Sequence, residues 1–318
     1  MQCVKFGIIG PGTISHRFVK GLRHVPQAEL AAVASRDQQK ALRYADEYQI
    51  PFVFTSYEAL FSSEQVDAVY IATPPHTHFD LVMEALKHHK HVICEKPFML
   101  NHKQAEIAYA YAKEQKCVLM EAMKAVFLPV TKHVKSWLED GRIGDIKYME
   151  ASYSYLFPHD DMNHWVFQKQ YSGGGMFDVG CYPLAYTMHL RSAKIVEAKA
   201  MHLDGASGVD EITQLLLRYE DGVMASVRGG IGVDTRNDAM IFGTKGHIYV
   251  PDFWKAERAY CYEDGQEELY EELHDKAEFR YEIAHFADLI LHGEKESDIW
   301  SSAKSTLMLK LMEASVDA

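Results

Sequence analysis

The sequence predicts an α/β plus α+β protein, with a doubly wound parallel sheet over residues 1–122 and an open antiparallel sheet over residues 123–318. Three observations predict this fold class. The first 120 residues alternate apolar strands with helices of about a dozen residues, which is typical of a parallel sheet covered on both faces. After about residue 125, apolar and polar residues alternate as in antiparallel strands. The length of 318 residues also exceeds what one hydrophobic core usually holds.

The first domain is predicted to contain six strands, most of them followed by a helix. Such parallel strands are joined by right-handed crossovers, which produce the doubly wound arrangement. The predicted strands are Val4–Ile9, Leu30–Ala34, Phe52–Phe54, Asp67–Ala72, His91–Cys94 and Cys117–Met120. The predicted helices are Thr13–His24, Asp37–Tyr48, His78–His88 and Lys103–Glu114.

The second domain is predicted from alternating strands and from hairpin turns at Glu220–Gly222 and Gly243–Gly246. Helices at about 278–291 and 302–314 are expected to cover one face of the sheet. The other face requires a cover, so we expect a homodimer or higher homo-oligomer that pairs through this sheet. The predicted strands are Gly144–Tyr155, Lys194–His202, Thr213–Tyr219, Val223–Arg228, Ala239–Phe242 and His247–Val250.

Charge and cysteine content limit the functions that the chain can have. The formal net charge of -12 argues against nucleic-acid or anionic-membrane partners, because either surface requires a basic patch. The five cysteines form no close CxxC pair, which argues against a disulfide framework or a zinc site. The chain starts directly in a strand pattern without a signal peptide, and no run approaches the ~18 apolar residues of a membrane span. We therefore expect a soluble protein of the reducing cytoplasm.

A glycine-rich turn follows the first predicted strand. Gly10 and Gly12 fit the first two positions of a GxGxxG motif, and the small Ser15 takes the third. Such a turn lets the backbone approach a pyrophosphate and aims a helix N-terminus at it. Its place between the first strand and the first helix favours a dinucleotide site over an ordinary strand-to-helix turn. We predict that Gly10, Gly12, Thr13 and Ile14 bind the cofactor.

The end of the second predicted strand indicates which nicotinamide cofactor binds. An acidic residue there holds the ribose of NAD, whereas an arginine suits the 2′-phosphate of NADP. Ser35 and Arg36 can donate hydrogen bonds to a phosphate, and Asp37 is expected to cap the next helix. The alternative for Arg36 is a solvated surface charge. We predict NADP, with NAD as the alternative.

The loop Thr73–His78 follows the fourth predicted strand. Loops at the carboxyl ends of parallel strands line the cofactor crevice, so Thr73, Pro74 and His78 are predicted cofactor residues. The pair His76 and His78 suggests a metal as the alternative. No third ligand lies at metal spacing in the sequence, and we predict no metal site.

Four motifs then occur in an order that resembles a known family. They are Gly10-x-Gly12, Thr73-Pro74-Pro75-x-x-His78, Glu95-Lys96-Pro97, and Gly173-Gly174-Gly175 followed by Asp178-Val179-Gly180-Cys181-Tyr182-Pro183. Over both domains the chain resembles the glucose-fructose oxidoreductase, inositol dehydrogenase and MocA (Gfo/Idh/MocA) family. Tyr182, where many members carry histidine, is similar to the dimeric dihydrodiol dehydrogenase branch. The resemblance implies NAD(P)-dependent oxidation or reduction of sugars, inositols and related hydroxyl or carbonyl compounds.

The resemblance also implies roles for the polar residues of these motifs. It makes Lys96 the active-site lysine, Asp178 a substrate-site carboxylate and Tyr182 the proton donor or acceptor. Glu95 and Lys96 are also predicted to lie at the cofactor, with Glu95 structural or holding the loop. A lysine ammonium within hydrogen-bond reach lowers the pKa of a phenol because it favours the phenolate, so Lys96 can make Tyr182 an effective base.

Each of these residues also has an ordinary structural alternative. Lys96 could be a surface lysine paired with Glu95, Tyr182 a tyrosine at the edge of the core, and Asp178 a helix cap. Asp178 precedes Tyr182 by four residues, so one helix is expected to present both on the same face. The three preceding glycines are expected to let the backbone approach the nicotinamide or the substrate.

Several positions leave the substrate pocket open. Pro183 would clash with the carbonyl of Val179 unless the helix begins nearby. Lys124 stands where relatives often carry other residues. The candidates for a pocket wall, which lie in an irregular stretch before the glycines, are Phe157, His159 and Trp165.

The sequence therefore predicts an NAD(P)-dependent dehydrogenase or reductase acting on a sugar, polyol or vicinal diol. One alternative is a catalytically silent regulatory protein that keeps the nucleotide site. The other is an NAD-dependent lyase or hydrolase of the same family that oxidises its substrate transiently.

Overall fold

The chain forms two compact units in the computed structural model, which describes residues 3–317. The first unit runs to Ala122 and includes Asp275–Thr306. The second unit consists of Met123–His274 and the chain from Leu307 onward. The predicted second domain contains all residues after 122. In the structure the segment Asp275–Thr306 belongs to the first unit.

The first unit is built on a parallel sheet of six strands: β1 Val4–Ile9, β2 Ala28–Ala34, β3 Phe52–Phe54, β4 Ala68–Ile71, β5 His91–Glu95 and β6 Leu119–Ala122. Their spatial order is β3-β2-β1-β4-β5-β6, so the order reverses between β1 and β4, where ligands bind in such sheets. The connecting helices are α1 Thr13–Leu22, α2 Gln38–Tyr48, α3 Tyr57–Phe61, α4 His78–Lys87 and α5 His102–Glu114. The predicted doubly wound fold is confirmed.

The second unit contains an eight-stranded sheet. One α-helix precedes its first strand, and another lies between its first and second strands. The helices are α6 Pro129–Glu139 and α7 Cys181–Leu190. The strands are β7 Ile146–Ser154, β8 Ile195–Asp204, β9 Asp210–Tyr219, β10 Met224–Gly230, β11 Asp238–Gly243, β12 Gly246–Pro251, β13 Arg258–Glu263 and β14 Gln266–Glu271. Their order is β14-β13-β12-β11-β7-β10-β9-β8, and only the central pair of β7 and β10 is parallel among these strands of residues 3–317.

The two faces of this sheet differ. Helix α7 packs on β7 and β10, and α6 packs on β13 and β14. The opposite face, called the open face below, carries the exposed side chains of Met201, Leu203, Leu216 and Met224. A row of neighbouring rings crosses the same face, formed by Tyr148, Phe242, His247 and Tyr262, with its two outer pairs stacked and the middle pair tilted.

The remaining helices are α8 Arg280–His292 and α9 Ser302–Val316. Helix α8 packs on α1 and β1 of the first unit, and the ring centroids of Phe286 in α8 and Phe6 in β1 lie 5.9 Å apart. This packing explains why the segment groups with the parallel sheet rather than with the second sheet. None of the helices within residues 3–317 combines the length and the apolar character that crossing a membrane requires.

Candidate active site and nucleotide site

The turn after β1 has the geometry of a dinucleotide-binding turn. Gly10 adopts φ +87°, and a Cβ there would lie 2.8 Å from Thr73 Cγ2 and 3.0 Å from the Ala72 carbonyl oxygen, so only glycine fits. At Gly12 a Cβ would meet nothing within 4 Å, which leaves the backbone open to a ligand. Ser15 is buried and donates a hydrogen bond to the Gly12 carbonyl at 2.7 Å, so a small polar residue replaces the third glycine.

A cavity of about 780 Å³ opens beside this turn. It brings together most of the predicted cofactor residues of the glycine turn, of the end of β2 and of the Thr73 loop. The lining residues are Gly10, Pro11, Gly12, Ser35, Arg36, Asp37, Lys40, Tyr57, Ala72, Thr73, Pro74, His76, Thr77, Asp80 and Leu81. The open backbone at Gly12, the start of α1 and two cations on the cavity wall fit a dinucleotide that carries phosphates.

The end of β2 supplies the polar side of the cavity. Asp37 caps α2 by accepting a hydrogen bond from the Lys40 N–H at 3.0 Å, as predicted. The Asp37 N–H in turn donates to Ser35 Oγ at 3.1 Å. With the carboxylate engaged as a cap, the cations Arg36 and Lys40 face the cavity. Lys40 was not predicted; its position in the first turn of the helix that follows β2 was the available signal.

His78 serves the structure of two loops. It is fully buried, and its Nε2 lies 2.8 Å from the Thr73 carbonyl oxygen. Its Nδ1 lies 3.1 Å from the Pro97 carbonyl oxygen and 3.2 Å from that of Phe98. Burial lowers the pKa of His78, while the three carbonyl contacts act in the opposite direction, and the ring joins the Thr73 loop to the loop after β5.

The Glu95–Lys96–Pro97 motif lies at the carboxyl end of β5, and the Lys96–Pro97 peptide bond is cis. Glu95 is buried: its Oε1 accepts a hydrogen bond from the Tyr70 hydroxyl at 2.5 Å, and its Oε2 accepts one from the Lys96 N–H at 3.1 Å. Burial and the neighbouring Glu95 carboxylate raise the pKa of Tyr70. The Glu95 carboxylate therefore holds the backbone of Lys96 through this hydrogen bond. The Lys96 residue is half-buried.

Asp178 and Tyr182 lie in the second unit on one continuous helical run. Residues Met176–Gly180 form a π-helical turn, and α7 continues from Cys181. Both residues therefore lie in helical segments, but the first of these segments is a π-turn rather than regular α-helix. Pro183 is the third residue of α7 and directly follows the π-turn, so the helical hydrogen bonds before it do not have the regular α-helical pattern.

The surroundings of Asp178 and Tyr182 are aromatic. Asp178 is 8% exposed and Tyr182 is 7% exposed. The Tyr155 hydroxyl donates a hydrogen bond to Asp178 Oδ2 at 2.7 Å. The ring of Tyr153 lies 5.9 Å from that of Tyr182 and stacks on Trp254 at 4.0 Å. Tyr153, Tyr155 and Trp254 were not predicted, although the tyrosines at alternate positions of the strand 144–155 were a signal.

The three glycines before Asp178 make close contacts within the protein. A Cβ on Gly174 would collide with the Asp210 carboxylate, and one on Gly175 would lie 2.6 Å from the Gly230 Cα. Gly173 approaches the carbonyl groups of the 165–166 segment in the same way. The expected role in approaching nicotinamide or substrate therefore has a competing explanation, namely backbone packing.

The predicted wall residues pack against a small cluster of their own. Phe157 and Trp165 contact the buried cluster of Val166, Phe167, Val209 and Ile231. His159 lies with its ring 5.0 Å from that of Phe167. Lys124 is 2% exposed and therefore belongs to the interior of its unit.

Together these features define a class of protein. A doubly wound unit with a glycine turn beside a cofactor-sized cavity, followed by a sheet unit that presents a buried carboxylate and a phenol, is typical of a nicotinamide-dependent oxidoreductase. The family models for the NAD-binding Rossmann fold of the GFO/IDH/MocA oxidoreductases and for their C-terminal domain match residues 4–123 and 131–249. The chain belongs to the GFO/IDH/MocA family and is an NAD(P)-dependent dehydrogenase or reductase.

Relatives match nearly the whole chain. Trans-1,2-dihydrobenzene-1,2-diol dehydrogenase of Xenopus tropicalis is 30% identical over 98% of this chain and 97% of its own. The NADP(+)-dependent scyllo-inositol 2-dehydrogenase IolU of Bacillus subtilis is 32% identical over 98% and 95%. A crystal structure of the 3-ketoreductase KijD10 from Actinomadura kijaniata with NADP and TDP-benzene is 27% identical, with a TM-score of 0.85 over 98% and 97% of the chains. The predicted family and cofactor class are confirmed.

Proposed function

We propose that the protein transfers a hydride between NADP(H) and a ring compound with vicinal hydroxyl or hydroxyl and carbonyl groups, such as a sugar, an inositol or a cyclic diol. The observation that carries the proposal is the pairing of Asp178 and Tyr182 on one helical run beside the stacked rings of Tyr153 and Trp254. A carboxylate can bind one hydroxyl while a phenol acts on the neighbouring one. Flat aromatic rings suit the face of a six-membered ring substrate.

The names of the relatives support this substrate class. They describe enzymes for a dihydrobenzenediol, for scyllo-inositol and for a 3-keto compound. A six-membered ring with neighbouring oxygen substituents is common to the first two names. We propose the same class for this chain.

The proposed chemistry assigns one proton transfer to the protein. Bound nicotinamide supplies the hydride chemistry. Tyr182 takes the hydroxyl proton in oxidation and returns it in reduction. Lys96 assists by favouring the phenolate, since a free phenol has a pKa of about 10 and is a poor base at neutral pH. Asp178 orients the substrate through the hydroxyl next to the reacting one.

The proposed preference for NADP rests on the cavity at the end of β2. Arg36 and Lys40 supply positive charge, and Ser35 supplies a hydroxyl, while the nearest acid, Asp37, is engaged as a helix cap. The glycine turn at Gly10 and Gly12 would hold the diphosphate, with Thr13 and Ile14 at the start of α1 beside it. The loop of Thr73 and Pro74, whose Thr73 carbonyl is held by His78, completes the wall.

We also propose that two copies pair through the open face of the second unit. Apolar side chains such as Met201, which is 81% exposed, lie on this face beside charged ones such as Lys199 and Arg218, and the apolar ones are costly to leave in water. A second copy presents the same rows of side chains and can cover them symmetrically. The cytoplasmic location indicated by the cysteine pattern stays a prediction.

The function is tested by a substrate panel followed through NADPH absorbance. Inososes, keto-sugars, pyranoses and cyclic diols are offered with NADPH or NADP+, and we expect saturable turnover with at least one ring compound. Tight NADPH binding with no turnover of any ring compound would instead favour the silent regulatory protein. Product formation without any net change in NADPH would favour the lyase or hydrolase that oxidises transiently.

A further inference from the structure

We propose that Asp210 is a positioning residue for this reaction, because its carboxylate fixes the start of the helical run that carries Asp178 and Tyr182. The inference rests on the proposed function for the roles of those two side chains. All three residues belong to the second unit. Asp210 acts through the backbone and not on the substrate.

The first support is the hydrogen bonding of the carboxylate. Asp210 begins β9 and is 3% exposed. Its Oδ2 accepts a hydrogen bond from the Met176 N–H at 2.8 Å and another from Thr213 Oγ1 at 2.6 Å. Hydrogen bonds to a buried carboxylate are strong, and losing one leaves charge without compensation. The contact therefore ties the backbone at Met176 to the sheet.

The second support is the fit of the same carboxylate against Gly174. This residue adopts φ +112°, and a Cβ on it would collide with Asp210 Oδ1. The neighbouring Gly175 packs directly on the backbone of Gly230 in β10. The helical run thus starts in contact with two strands, and the Asp210 side chain fills the space that an ordinary residue at 174 would occupy.

The position along the helical run explains why an acid is suited to this place. Met176 begins the π-turn, which α7 extends without interruption to Leu190. Negative charge near the N-terminal end of a helix is stabilised by the helix dipole. A π-turn departs from regular helical hydrogen bonding, so its surroundings must hold it in place. Asp178 follows Met176 by two residues and Tyr182 follows it by six, so a displacement at Met176 moves both side chains.

Three variants and one control test the proposal. Asp210→Ala removes the acceptor from both Met176 and Thr213. Asp210→Asn keeps one oxygen that can accept both hydrogen bonds, and Thr213→Val removes one donor. The control is Asp204→Ala, because Asp204 is opposite Asp210 in the β8–β9 pair but has a half-exposed side chain. The measurements are kcat, KM, the NADPH dissociation constant and hydrogen–deuterium exchange over residues 173–182.

We expect Asp210→Ala to lower kcat by roughly 10- to 100-fold, since displacements of about 1 Å reduce rates on that scale. NADPH affinity should stay within about twofold, because the nucleotide site belongs to the first unit, and exchange over residues 173–182 should accelerate. Asp210→Asn should recover most of kcat. Thr213→Val should fall between the two, and Asp204→Ala should match the wild type.

An unchanged kcat with unchanged exchange in Asp210→Ala would overturn the proposal. Loss of NADPH affinity in parallel with kcat, in a variant that is still folded, would also overturn it, because the effect would then not be confined to the helical run. If the alanine variant does not fold, Asp210→Asn and Thr213→Val decide the question through the same exchange measurement. If the wild type turns over no ring compound, the proposed function fails, whereas the exchange measurement still decides whether Asp210 positions the segment.

Discussion

The Tyr155 hydroxyl donates a hydrogen bond to Asp178 Oδ2 at 2.7 Å, which ties the proposed substrate-binding carboxylate to the end of β7. Two residues earlier, inside β7, the ring of Tyr153 stacks on Trp254 and lies 5.9 Å from the ring of Tyr182. The end of β7 therefore contacts both polar residues of the helical run. The orientation of Asp178 depends on a residue that is not itself proposed to react.

Replacing Tyr155 with phenylalanine should weaken substrate binding. Hydrogen bonds to charged groups contribute about 1.5–3 kcal/mol, so Tyr155→Phe should lower kcat/KM by roughly 10- to 100-fold. The loss should lie mainly in KM, because Asp178 is proposed to bind a hydroxyl that does not react. Tyr219→Phe is the control, since it removes a buried hydroxyl from the other end of the second unit's sheet. Equal kinetics for Tyr155→Phe and the wild type would show that the carboxylate does not need this donor.

Replacing Tyr182 with phenylalanine should abolish most of the turnover. Proton transfer by a positioned group contributes about 10²- to 10⁴-fold, so Tyr182→Phe should lower kcat on that scale with unchanged NADPH affinity. Tyr186→Phe, one helical turn later on α7 and also buried, serves as the matched control. Full activity of Tyr182→Phe would remove the tyrosine from the mechanism.

Lys96→Met should move the pH profile of oxidation toward higher pH, because the phenol loses the cation that favours its ionised form.

The apolar strands of the first unit could be read from the sequence because burial on both faces leaves an uninterrupted apolar run. The hairpin of β13 and β14 was missed because Gln266–Glu271 lies at the edge of the sheet and is largely exposed and acidic, so it lacks that pattern. Helix α6 was missed although Pro129 is favourable at the first position of a helix.

The site was predictable only as far as its motifs extend. Gly10, Arg36 and Lys96 lie in short motifs whose chemistry can be read locally. Tyr155 bonds to Asp178, which is 23 positions away in the sequence, and Asp210 bonds to Met176, which is 34 positions away. One sequence cannot reveal such distant contacts. The π-turn likewise depends on contacts with two strands rather than on the propensity of its residues.

The two cations at the end of β2 should discriminate between cofactors. Arg36→Ala and Lys40→Ala should each weaken NADPH binding by roughly 10-fold or more, since hydrogen bonds between charged groups contribute about 1.5–3 kcal/mol. NADH binding should change by less than about threefold, because it lacks the 2′-phosphate. Arg43→Ala, an exposed cation on the same helix, should leave both affinities unchanged. Equal losses for NADPH and NADH, measured by fluorescence titration, would contradict the phosphate role.

A charge placed on the open face should prevent the proposed pairing of two copies. Met201→Glu combined with Leu216→Glu puts two carboxylates on the neighbouring strands β8 and β9. Pairing of two copies would bury these carboxylates, and their mutual repulsion would oppose the pairing. Sedimentation velocity should show a dimer for the wild type and a monomer for the variant. Ile107→Glu, at an exposed apolar position on α5, should remain dimeric. A monomeric wild type, or a variant that stays dimeric, would refute pairing through this face.

The buried Glu121 should make the stability of the protein depend on pH. Its Oε2 accepts hydrogen bonds from Trp300 Nε1 at 2.9 Å and from Ser305 Oγ at 2.6 Å, and burial raises its pKa from the usual 4.5 to about 7. Because the folded state binds this proton more tightly than the unfolded state, the stability that Glu121 contributes is fully present below about pH 4.5 and is lost as the pH rises through about 7.

The side chain of Glu121→Gln keeps an oxygen that can accept the hydrogen bonds of Trp300 and Ser305, but this side chain cannot ionise. The free energy of unfolding of the wild type should therefore fall, between acidic and mildly alkaline pH, by up to about 3 kcal/mol more than that of the variant, given about 1.4 kcal/mol per pKa unit. Denaturant unfolding of both proteins at about pH 5 and about pH 8 measures this difference. Glu58→Gln, at an exposed carboxylate of the first unit, should retain the wild-type slope. Parallel pH profiles for the wild type and Glu121→Gln would show that Glu121 does not bind its proton more tightly in the folded state.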